Sequence, residues 1–121
     1  MNLLSLFKNA RTIKEFVAGE TIFVEGQPSD VMYVILEGEV DIRQRDRSIY
    51  TAGPGELLGE MAMIDAKGRS ASAVALSPCR LAVVDEKQFL FMVQETPNFA
   101  LEVMRVLVDR LRRQQIMDIT A

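Results

Sequence analysis

The sequence predicts a mainly β domain, an antiparallel β-roll or jelly-roll barrel (a double-stranded β-helix), with flanking helices. Three observations carry this. From Ile13 to about Val84, short β-branched runs alternate with Gly, Pro, Asp and Ser punctuation, the pattern of many short antiparallel strands. After Asp85 the texture turns helical. And 121 residues with 49% in the hydrophobic set suffice for one core and hardly for two.

Taken in order, Leu3 to Ala10 can make two helical turns with Leu3, Leu6 and Phe7 on one side. Met32 to Leu36 and Val40 to Ile42 read as two strands meeting at a turn or tight bend at Gly38. The run EKQFLFMVQE reads as one short amphipathic helix. Thr96 is then a plausible N-cap, with Pro97 at the first helical position of a longer helix to about Ile116. On a wheel at 100° per residue, Glu102, Arg105, Asp109, Arg112 and Arg113 share one side. Phe99, Val103, Met104, Val106, Leu107, Val108 and Leu111 spread over roughly 200° of the rest. One buried face needs about half that width. Met104, Leu107, Val108 and Leu111 carry the excess, which calls for a second contact: another subunit or a ligand lid. The expected organisation is a single domain over 1–121, with the β-roll at about 13–84 and the C-terminal helices at about 86–116.

Composition excludes more than it suggests. The net charge is −3 and the pI about 5.0, so no basic field marks a nucleic-acid binder. The three arginines between Arg110 and Arg113 are flanked by Asp109 and Asp118. There is no His, and Cys79 stands alone. Zinc sites, non-haem iron triads and Ser-His or Cys-His catalysis therefore lack their parts, and no metal site or resident cofactor is expected. Cys79 reads as a small buried hydrophobe. A lone cysteine suits a reducing, cytoplasmic setting, and no run approaches eighteen apolar residues.

The chemistry concentrates in GPGELLGEMAMIDAKGRSASAVA, Gly53 to Ala75. Gly55 and Gly59 bracket a short loop that lets backbone approach a ligand. Glu60 to Ile64 can form one or two helical turns, whose free N–H groups would face an anion near Gly59. Nine residues after Glu60 come Arg69 and Ser70, a permanent cation and a hydroxyl, followed by small residues that leave the Arg69 to Ser72 amides unshielded. Such donors suit phosphate. Glu60 would repel a bare phosphate, but it fits as an acceptor for a neighbouring sugar hydroxyl. The constellation asks for one phosphate charge joined to a ribose.

This segment resembles the phosphate-binding cassette of the cyclic-nucleotide-binding domain family, roughly F-G-E-L-A-L, a short gap, then P-R-x-A-T-V. The family includes catabolite-activator-type regulators, protein kinase A regulatory subunits and nucleotide-gated channels. TIFVEGQPSDVMYVILEGEVDI resembles its opening strands, with Gly26 and Gly38 at turn positions, and CRLAVVDEKQF the strand and hinge-helix entry that follow. The resemblance implies a cassette helix after Glu60. It assigns Glu60 to the ribose 2′-hydroxyl, Arg69 to the exocyclic phosphate oxygens and Ser70 to the phosphate. Backbone N–H groups near Gly59, Met61, Ala62 and Ala71 complete the cradle. Leu58 stands for the usual Phe and Gly68 for the usual Pro, the latter expected to loosen the loop.

The function so implied is a non-enzymatic regulatory module that binds a 3′,5′-cyclic purine nucleotide and signals by helix rearrangement. Cyclic AMP is expected ahead of cyclic GMP, by less than about tenfold, because Ile42, Ile49 and the long helix offer the base mostly apolar contact. The competing reading is a structural or interaction domain of the same fold that binds no nucleotide in the cell. The chain ends soon after the long helix, so no DNA-binding domain and no direct nucleic-acid contact are expected. A homodimer through the long helix is expected, with an unidentified downstream protein partner.

Overall fold

The computed structural model describes residues 3–60 and 67–120, and the side chains of all of these but 113–120. In chain order come α1 (Leu3–Phe7), β1 (Ile13–Phe16), β2 (Thr21–Phe23), β3 (Val31–Glu37), β4 (Val40–Gln44) and β5 (Arg47–Ala52). Then follow β6 (Leu57–Leu58), β7 (Ser72–Ala75), β8 (Cys79–Asp85), α2 (Glu86–Glu95) and α3 (Asn98–Thr120). The strands form two four-stranded antiparallel sheets, ordered β1-β8-β3-β6 and β2-β7-β4-β5. The β-roll with flanking helices is as expected.

Strand β3 explains why one sheet is apolar on both faces. Side chains alternate along a strand. Met32, Val34 and Leu36 pack with Ala82, Val84, Phe99 and Val103 on the helix side. Tyr33 and Ile35 join Val40, Leu58, Ala73, Cys79 and Leu81 between the sheets. A strand covered on both faces reads as a continuous apolar run, as VMYVIL does. The other sheet buries one face and carries Asp41, Arg43, Ser48 and Ser72 among its strands.

Glu37-Gly38-Glu39 proves to be a bend rather than a hairpin, since β3 and β4 lie in different sheets. Helix α2 starts on a capping box. Asp85 accepts from the Gln88 N–H at 2.8 Å, and Gln88 Oε1 accepts from the Asp85 N–H at 3.2 Å. Three sequence-based boundaries move, one of them the end of α3, which runs to Thr120 rather than about Ile116. Helix α1 ends at Phe7, with Leu3 and Phe7 buried. Helix α3 begins at Asn98 rather than Pro97, because Thr96 still closes α2: its N–H donates to the Met92 carbonyl at 2.8 Å. Phe99 locks the corner, edge-on to Phe7 and Phe89 at 5.8 and 5.3 Å between ring centres.

The wide apolar arc of α3 divides as geometry requires. Phe99 and Val103 are buried, and Val106 and Leu107 pack against them. Leu101, Met104, Val108 and Leu111 are exposed. Leu107 thus belongs to the core, and Leu101 replaces it in the uncovered stripe.

Candidate nucleotide-binding site

Three elements converge on Arg69. Strand β6 delivers Gly59 and Glu60, the β2–β3 loop delivers Ser29, and the chain entering β7 delivers Arg69 itself. The Arg69 backbone is fixed to that loop from both sides: its N–H donates to the Gln27 carbonyl at 2.9 Å, and its carbonyl accepts from the Gly26 N–H at 2.8 Å. This N–H is therefore committed within the protein, contrary to the expectation that it stays open to a ligand.

The Arg69 side chain is 4% exposed. Nη1 donates to the carbonyls of Val31 (2.8 Å) and Gly59 (3.1 Å), and Nη2 donates to Ser29 Oγ at 2.8 Å. The guanidinium lies 4.3 Å from the Phe23 ring centre and 5.7 Å from that of Tyr33, within cation–π range. No carboxylate among the described residues makes an ion pair with it, and Nε has no hydrogen-bond partner there. Burial lowers its pKa from the usual arginine value, while Tyr33 and Asp30 oppose the shift. The result is a desolvated cation held mainly by dipoles, with no ion pair among the described residues.

Gly59 is what lets Arg69 lie so close. Its φ is +72°, and a Cβ there would collide with Nη1 and sit 3.0 Å from Cζ. Gly68 also differs in substance from the family's proline. Its φ is +87°, whereas proline fixes φ near −65°. An added Cβ would meet the Gly26 carbonyl oxygen at 3.1 Å. The loop before Arg69 takes a path closed to proline, rather than a looser version of the same path.

Glu60 is 2% exposed. Its Oε1 pairs with Arg110 Nη1 from α3, and Arg110 Nη2 donates to the Leu57 carbonyl. Oε2 is buried without a hydrogen-bond partner among the described residues. So the structure brings Gly59, Glu60 and Arg69 together. It places Ser70 on the surface and Ala71 buried just before β7. Met61 and Ala62, with the expected cassette helix, lie outside the described residues. Arg110 was missed. It stands eleven positions beyond Phe99, about three turns, and so on the face that α3 turns inward. An arginine on that face was the available signal.

A model of the cyclic nucleotide-binding domain family matches residues 13–96. The chain belongs to this family. It is 31% identical over 104 residues to a CRP-like cAMP-activated global transcriptional regulator of Mycobacterium tuberculosis, covering 82% of this chain and 46% of that protein. The catabolite activator protein of Thermus thermophilus superposes with a TM-score of 0.81 at 30% identity, over 95% of this chain and 55% of that one. An EAL enzyme solved with cAMP and with cGMP bound superposes at TM-scores of 0.62 and 0.65, with 38% and 37% identity. These matches cover 88% of this chain and 30% of the enzyme. The chain spans about half the length of the regulators it matches. Among the described residues no helix is long and apolar enough to cross a membrane.

Proposed function

We propose that the domain is a non-enzymatic sensor of a 3′,5′-cyclic purine nucleotide, with cyclic AMP preferred. The observation that carries this is Arg69: a buried cation with no ion-pair partner among the described residues and an unused Nε–H. Among the described residues, an anion entering beside it displaces no ion-paired carboxylate. Glu60, one residue beyond the Gly59 carbonyl that Arg69 already touches, supplies the ribose acceptor. The family membership and the nucleotide-bound EAL enzyme support the same reading. Among the described residues of the constellation no nucleophile is paired with a base, and in this reading the ligand is held and not cleaved.

The signal follows from Arg110. A ribose hydroxyl donating to Glu60 shares one carboxylate with the arginine that ties α3 to the roll, so occupancy and helix position are linked, a population shift. In this reading the domain works in the cytoplasm, its ligand is the nucleotide and it uses no other cofactor. It contacts no nucleic acid itself and passes its output to a protein partner. The exposed stripe Leu101, Met104, Val108 and Leu111 is covered by the same helix of a second copy. Sedimentation of the parent as a dimer and of Leu111→Glu as a monomer is expected; a monomeric parent contradicts the pairing.

The function is tested by calorimetric titration. Cyclic AMP and cyclic GMP bind, and 5′-AMP binds at least about tenfold more weakly, since its extra phosphate charge faces Glu60. Equal binding of 5′-AMP argues for a general phosphate site instead.

A further inference from the structure

The β4–β5 hairpin borders an open groove of about 630 Å³ lined by Glu25, Gln44, Arg45, Arg47 and Ile49. It adjoins the cassette. Gln44 Nε2 donates to the Ser70 carbonyl at 2.9 Å, and the Glu25 N–H donates to Ser72 Oγ at 2.8 Å. Ile49 gives it an apolar wall. With phosphate at Arg69 and ribose at Glu60, the base is the part of the ligand left to occupy such a space.

Gln44 is held in one orientation. A carbonyl oxygen only accepts, so the Ser70 contact settles which end of the amide is nitrogen. The second N–H and Oε1 remain, a donor beside an acceptor. Adenine presents the matching pair, its N6 amino donor next to the N7 acceptor. Guanine presents O6 and N7, two acceptors, one of which would face Oε1. Arg47 offers the donor pair that suits guanine, but both side chains are exposed and, among the described residues, only that of Gln44 is anchored by a hydrogen bond. Ordering Arg47 costs side-chain entropy that the anchored Gln44 has already lost.

We propose that Gln44 reads the base and selects adenine over guanine, a proposal that rests on the nucleotide site at Arg69 and Glu60. Competition titrations of the parent, Gln44→Ala and Arg47→Ala with cyclic AMP, cyclic GMP and cyclic inosine monophosphate test it. The parent is expected to favour cyclic AMP by about tenfold or more, the discrimination of one bidentate amide–base pair. Cyclic inosine monophosphate, which has O6 but no N2 amino group, groups with cyclic GMP. Gln44→Ala brings the two purines within about threefold by weakening cyclic AMP alone, and Arg47→Ala leaves the parent's ratio unchanged. Three results overturn the proposal: a parent ratio within threefold, equal weakening of both nucleotides by Gln44→Ala, or a cyclic GMP preference that Arg47→Ala removes. The second would make Gln44 a strut for Ser70. A parent that binds no cyclic nucleotide overturns the site itself and this reading with it, whereas equal binding of both overturns only the base reading.

Discussion

Arg69→Ala lowers cyclic nucleotide affinity by about a hundredfold or more, the largest effect expected of any pocket substitution. Removing one partner of a buried charge pair costs about 3 kcal/mol or more, and each 1.4 kcal/mol is tenfold. In the free protein the same change strands the Val31 and Gly59 carbonyls and Ser29 Oγ, and uncovers the Phe23 ring. Affinity must therefore be read by calorimetry below the melting transition of the variant. Arg69→Lys separates the two losses. It keeps the charge and loses the planar fork that spans Val31, Gly59 and Ser29, so it recovers part of the affinity. Binding of Arg69→Ala within threefold of the parent would show that the guanidinium does not meet the ligand.

Arg110→Ala destabilises the ligand-free domain by about 2–3 kcal/mol, below the full range for buried pairs because the Arg110 side chain is 32% exposed. The loss falls on Glu60. Its Oε2 already lacks a partner among the described residues, and the substitution takes the Oε1 partner away, leaving a buried carboxylate to carry its desolvation penalty. Urea denaturation of the parent and variant measures the shift in midpoint. Adding Glu60→Gln to Arg110→Ala should restore much of the loss, because a neutral amide is cheaper to bury. A change below about 0.5 kcal/mol, the range of an ordinary surface substitution, would mean that Arg110 is not a tie between α3 and the roll.

The fold was legible because its physics is local. Gly and Pro punctuation between β-branched runs marks short strands. The capping pattern Asp85–Gln88 opens α2 where the texture changes. The boundary at Thr96 was not, because a residue that could cap α3 also closes α2, and its N–H goes to Met92. The bend at Gly38 could not be told from a hairpin, since both need a tight turn and only strand pairing separates them. At the site, Glu60 and Arg69 stood out by spacing and by resemblance. Their present partners did not. The carbonyls that hold Arg69 come from Val31 and Gly59, 38 and 10 residues away, and Arg110 reaches Glu60 across 50 residues. Such contacts are set by how strands and helix pack, and no window of sequence contains them. Gln44 was hidden for the same reason: its contact with Ser70 exists only because β4 pairs with β7.

Calorimetric titration of the parent protein with cyclic AMP, its 2′-deoxy analogue and 5′-AMP tests the central claim most directly. If Arg69 takes the phosphate and Glu60 the ribose hydroxyl, cyclic AMP binds at a single site. The deoxy analogue then binds about tenfold weaker for want of one charge-assisted hydrogen bond, and 5′-AMP falls behind both. Indistinguishable affinities for all three ligands, or no binding by any, would contradict a cyclic-nucleotide site at Glu60 and Arg69.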